Sequence, residues 1–161
     1  ERGYRLGMYV FNNSGRLFYP DTGKKQFLKI SRELVGLRTS DRSGEFPAAI
    51  ERCRSYIMGY SPACVVVTRL DSGQGESLMC GLRKLHQLHS HGRHKLPVMV
   101  ISVAGYHVIS KLEQSANTAL LLQLETRTLV QQLRRLGALV LEWDPGHEGF
   151  GIAMLRQART R

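Results

Sequence analysis

Nine residues, Ala63 to Asp71 (A-C-V-V-V-T-R-L-D), restrict the fold more than any other stretch of the chain. Three consecutive valines between small residues, with Pro62 before them and Ser72-Gly73 after, describe a strand buried on both faces, the setting of a central strand in a parallel sheet. In open α/β sheets, ligands lie outside the carboxyl ends of such strands. Thr68, Arg69 and Asp71 therefore fall at the expected lip of any site.

The surrounding patterns supply the remaining elements. Arg5 to Phe11 alternates Leu6, Met8 and Val10 against Arg5 and Tyr9, a strand. Asn12-Asn13-Ser14-Gly15 is a turn, and Arg16 to Tyr19 returns as an antiparallel partner. Lys24 to Leu37 carries Phe27, Ile30, Leu34 and Leu37 at helical spacing, the expected buried stripe of an amphipathic helix. After a polar, hydroxyl-rich loop from Arg38 to Glu45, Pro47 suits a first helical turn. Ala49, Ile50, Cys53, Tyr56 and Ile57 continue an apolar face until Gly59, the expected stop.

Beyond the valine strand, Asp71 to Gly75 reads as a polar linker, and Leu78, Leu82, Leu85 and His89 mark a helix closing near Gly92. Leu96 to Val103 is a second apolar strand with Ala104-Gly105 as its exit. Ser110 and Glu113 form a capping-box pattern that opens a helical region to about Leu136. At 1.5 Å per residue that region would span roughly 40 Å, so a break or overhang is expected. Gly137 stops it, Ala138 to Trp143 makes a last strand, and Gly149 to Arg159 makes a terminal helix through Phe150, Ala153, Met154 and Ala158. Strands alternating with helices after the first two strands imply an α/β fold: a mostly parallel sheet with one antiparallel edge hairpin and helices on both faces.

Composition narrows the function classes. No apolar run approaches the roughly 18 residues of a membrane span. Cys53, Cys64 and Cys80 are odd in number, with no C-x-x-C, which fits a reducing compartment better than a disulfide framework or zinc site. The formal charge of +10 is the unusual bulk property. A solvated helix surface accounts for most of it, and a basic nucleic-acid or anionic-surface binding domain is the alternative functional reading. The chain begins with Glu1, as expected of an excised portion of a longer protein.

His86, His89, His91 and His94 make H-x-x-H-x-H-x-x-H without Cys or nearby acidic partners, and read as a solvated helix end. There is no G-x-S-x-G, no G-x-G-x-x-G and no G-x-x-x-x-G-K-[ST]. Cys64 enters the central strand as a small buried side chain and not as a nucleophile. Paired carboxylates for metal-assisted hydrolysis are missing as well, so the reading is non-enzymatic.

Four stretches in consistent order carry a family resemblance: G-Y-R-L-G-M-Y-V-F-N at the start, Y-P-D-T-G-K-K-Q-F, A-C-V-V-V-T-R-L-D, and L-R-R-L-G-A-L-V-L-E-W-D-P. They resemble the von Willebrand factor A-like (vWA-like) domain of uncharacterised membrane-associated proteins encoded beside MoxR-type AAA+ ATPases. The likeness spans nearly all of residues 1–161, read as one such domain lacking its first strand. It implies a Rossmann-like sheet whose top can hold Mg²⁺ at a metal-ion-dependent adhesion site, with oxygen ligands from a D-x-S-x-S motif, a Thr and an Asp.

In this sequence D-x-S-x-S does not occur, the Thr-bearing loop is Arg38 to Glu45, and the Ser-Asp after the fourth strand of the family reads Thr68-Arg69. A guanidinium repels Mg²⁺ and is a fixed cation for an acidic partner group. The expectation is a degenerate site with no metal and no cofactor. Thr68, Arg69 and Asp71 face Thr39, Ser40 or Ser43 across a rim that binds protein. The resemblance further implies a partner from a MoxR-type AAA+ ATPase system and a cytoplasmic-side place on a membrane-anchored protein. Self-association is expected if the absent strand leaves an open sheet edge.

Overall fold

A computed structural model describes residues 3–11, 15–37, 45–70, 72–89, 96–103 and 116–159. These form an α/β arrangement of ten elements in the order β1 (Leu6–Val10), β2 (Arg16–Asp21), α1 (Gly23–Gly36), α2 (Phe46–Tyr60), β3 (Cys64–Thr68), α3 (Ser72–His89), β4 (Val98–Val103), α4 (Ala116–Arg135), β5 (Leu139–Trp143) and α5 (Phe150–Arg159). Both the order and the types of these elements agree with the hydrophobic periodicity.

The strands build two sheets. β3, β4 and β5 are parallel in that order, and β1 and β2 pair antiparallel with each other. Among the described residues the antiparallel pair is thus a separate two-stranded sheet and not the hydrogen-bonded edge of the parallel one. Parallel register aligns Val66, Val100 and Val140 across the three strands. All three are buried, and with Leu82 and Leu85 of α3 and Leu133 of α4 they form the main core. Each such side chain contributes about 1.5–3 kcal/mol by leaving water.

The opposite face is covered unevenly, and here the expectation for the valine strand is corrected. Leu141 and Ile101 pack under Ala153 and Met154 of α5, but Val67, aligned with Ile101, remains 56% exposed and Val65 58%. The central strand is β4, flanked on both sides. Among the described residues β3 pairs with β4 alone, and the α5 cluster takes its strand residues from β4 and β5. The three valines of β3 look alike in sequence, yet only Val66 points into the core.

Two other boundaries differ from expectation. Residues 72–75, expected as linker, are the first turn of α3. Helix packing explains the glycines: a Cβ on Gly75 would overlap the Leu129 side chain of α4, and one on Gly81 would overlap the Phe46 ring of α2. Gly59 does not stop α2, which continues to Tyr60 until Ser61 adopts a left-handed conformation (φ 45°) ahead of Pro62. Gly137 does end α4, with φ 89°. Its N–H donates to the Arg134 carbonyl and that of Ala138 to the Leu133 carbonyl, a Schellman closure.

The β1–β2 pair is held to α2 by ring contacts, Phe11 with Phe46 at 5.6 Å and Tyr19 with Tyr56 at 5.5 Å, and by the Arg5 guanidinium 5.5 Å over the Tyr60 ring. Pro20 lies in β2 without a ladder donor, which an edge strand tolerates. α1 corrects its expected stripe: Ile30 is buried, but Phe27, Leu34 and Leu37 are exposed. Gln26 takes the inward position instead, its amide donating to the carbonyls of Leu6 and Tyr19 at 2.8 Å each. Satisfying those two carbonyls turns the helix away from its apolar stripe.

The expected turn at Asn12-Asn13-Ser14, the capping box at Ser110 and Glu113, the exit Ala104-Gly105 and the stop near Gly92 lie outside the described residues.

Candidate interaction site at the carboxyl end of β3

The rim of the parallel sheet is built from residues in register: Thr68 at the end of β3 aligns with Ser102 of β4, and Ser102 with Glu142 of β5. Alternation along β4 places Ser102 on the same face as Val98 and Val100, and it is buried. The Thr68 hydroxyl lies 3.2 Å from the Gln74 side-chain oxygen and 3.2 Å from the Arg69 carbonyl, either of which accepts its proton. Gln74 reaches it because α3 begins at Ser72, so that the second residue after the helix start faces back to the strand end.

Arg69 follows, exposed, and among the described residues it joins no ion pair. Leu70 is buried beneath the turn, and the Thr126 hydroxyl of α4 donates to its carbonyl at 3.4 Å. A buried anchor on one side and a hydrogen-bonded threonine on the other hold Arg69 between fixed points. Asp71, Thr39, Ser40 and Ser43 lie outside the described residues. The structure thus brings Thr68 and Arg69 together and adds Gln74, Ser102 and Thr126, none of which stood out in the sequence. Thr126 and Ser102 become visible only because packing buries them.

At the far end of the rim, the exit from β5 is closed on itself. Asp144 Oδ1 accepts from the Gly146 N–H at 2.9 Å, Trp143 Nε1 donates to the Glu148 carbonyl at 3.0 Å, and Arg156 pairs with Glu148 at 2.8 Å. Those charges are committed to one another. Arg69 joins no ion pair among the described residues, and a guanidinium presents two parallel N–H donors suited to a carboxylate. The Thr68 hydroxyl, bonded to an amide oxygen or a carbonyl, is placed as a polar contact. Activation as a nucleophile would require a base at that position.

Two of the three thiols are partly buried. Burial, and secondarily the nearby Cys53, pushes the Cys64 thiol up to about 11, and burial raises that of Cys53. Both are thiols at neutral pH, while Cys80 is exposed on α3. Of the histidine tract, His86 is half-buried on α3 with a buried Nε2 that has no hydrogen-bond partner among the described residues, and His91 and His94 lie outside them. No three His, Cys, Asp or Glu side chains converge among the described residues. Among these residues no helix is long and apolar enough to cross a membrane.

Comparison of the chain with models of protein families, with curated proteins and with solved structures returns no match.

Proposed function

We propose that the chain is a non-enzymatic protein-interaction module of the vWA-like type, with a degenerate metal-ion-dependent adhesion site that captures an acidic group of a protein partner at the β3 rim. In this reading β3, β4 and β5 belong to a Rossmann-like sheet, beside which the β1–β2 pair packs as a separate sheet. Arg69 takes the role that a bound Mg²⁺ has in a complete site, Thr68 is its polar neighbour, and Asp71 with Thr39, Ser40 and Ser43 completes the rim. The partner's source, a MoxR-type AAA+ ATPase system, rests on the sequence resemblance alone.

The observation that carries the reading is Arg69 itself: an exposed arginine just past the end of a parallel strand, flanked by the hydrogen-bonded Thr68 and the buried Leu70 and in no ion pair among the described residues. A charge contact at an exposed rim is worth up to about 1 kcal/mol, so Arg69→Glu should weaken binding to a purified MoxR-type ATPase about fivefold in a titration. Equal affinity of variant and wild type, with unchanged circular dichroism, overturns the assignment of this face. Calorimetric titration with Mg²⁺ and Mn²⁺ should show no heat, and a micromolar site would overturn the degenerate reading.

A further inference from the structure

The exposed face of α1 combines two properties that seldom occur together on a free surface. At about 100° per residue, Phe27, Leu28, Leu34 and Val35 fall in one arc roughly 120° wide, which also holds Ser31 and, at the start of the helix, Lys24, and which is turned away from the buried Gln26 and Ile30. All four are large exposed apolar side chains, and Val35 at 89% is almost entirely in solvent. Immediately beside that arc come Lys25, Lys29 and Arg32, none of which joins an ion pair among the described residues.

These cations line a cleft of about 430 Å³ between α1 and β2, with Phe18 and Leu28 as its apolar walls. Glu33 also lines it, but Glu33 is paired with Arg16 at 2.7 Å, which cancels its charge. The Lys29 ammonium lies 5.5 Å from the Phe18 ring centre. The cleft is thus cationic, apolar-walled and open beside a ridge of apolar side chains.

We propose that α1 is a docking face for an anionic phospholipid surface, with the Phe27–Leu28–Leu34–Val35 arc entering the acyl boundary and the Lys25–Lys29–Arg32 cleft receiving a headgroup. Charge complementarity selects an anionic occupant. The apolar arc then selects among anions, because a nucleic-acid backbone would match the cations and leave four apolar side chains in water. A convex ridge needs no shaped partner in a fluid bilayer, where basic amphipathic helices lie in the interface plane. This inference is independent of the β3 rim, which lies on other elements.

Co-sedimentation of the full chain with phosphatidylcholine vesicles containing about one third phosphatidylserine should exceed that with pure phosphatidylcholine, each cation near the surface being worth about fivefold. The triple variant Lys25→Gln, Lys29→Gln, Arg32→Gln should then lose about a hundredfold. Val35→Asp, at a site that carries no packing, should lose binding with all cations in place. Val35→Trp should show a blue-shifted emission with phosphatidylserine vesicles, beyond that of the wild-type chain with its one tryptophan. Three results each overturn the proposal: no vesicle binding, which leaves the face to a protein partner; full displacement from vesicles by duplex DNA with no Trp shift, which reduces it to polyanion adhesion; or wild-type binding by Val35→Asp.

Discussion

The hydroxyl of Thr126, in the middle of α4, donates to the carbonyl of Leu70, 56 residues earlier, in the turn that leaves β3. Both residues are buried, and the bond fixes the segment that carries Arg69 to a helix packed against the core. The loop presenting the candidate site is therefore positioned by tertiary contact as well as by the strand preceding it.

Thr126→Val keeps the shape of the side chain and removes the donor. It should lower stability by about 1–2 kcal/mol, read from urea unfolding, because the Leu70 carbonyl loses a buried partner. Thr126→Ser should retain most of the wild-type value. A neutral Thr126→Val would show that the carbonyl finds another donor.

At Gly81, the contact with the Phe46 ring leaves no room for a methyl group. Gly81→Ala should cost about 1–3 kcal/mol despite the better helix propensity of alanine. Phe46→Leu in the same chain should recover part of that loss, so that the two changes couple by at least about 0.5 kcal/mol in a double-mutant cycle.

Alkaline stability should respond to Cys64. Its pKa is raised from 9.0 to about 11 in the fold, so the folded chain holds a proton that the unfolded chain releases. The stabilisation is complete below pH 9 and is lost as the pH rises through about 11. Cys64→Val should flatten the fall in unfolding free energy across that window. In thiol labelling at pH 8, Cys80, the exposed thiol among the three, should react first and Cys64 last.

Among the described residues nothing pairs with the side of β3 away from β4, and Val65 and Val67 are both more than half exposed. Such an edge invites pairing with another chain. Light scattering should show a mass that rises with concentration, and Val67→Lys should hold the chain monomeric. A concentration-independent monomer for the wild type would indicate that the edge is covered.

How far the sequence could be read is clearest from paired residues of like appearance. Leu78, Leu82 and Leu85 follow helical spacing and are buried, as periodicity requires. Phe27 and Leu34 follow the same rule and are exposed, because periodicity records that a helix has an apolar side and not whether anything covers it. Asp71 to Gly75 reads as a linker because its residues are polar or glycine, and of these Ser72 to Gly75 are described. They are helical, and Gly75 faces the Leu129 side chain of α4, which a Cβ there would overlap. For the candidate site, the run from Thr68 to Asp71 located the strand end, but Gln74, Ser102 and Thr126 are polar residues without a motif. Their place at the site depends on register and on a contact across 56 positions.

Local chemistry in the sequence thus determined the ten elements, their order and the strand end that carries Arg69, because periodicity and turn residues act over a few positions. The tertiary structure decided which strand is central and which is an edge, which of three adjacent valines is core, and which face of α1 meets solvent. Those outcomes depend on how many neighbours each element acquires and on where a buried amide or hydroxyl finds its partner, quantities that no short stretch of sequence contains.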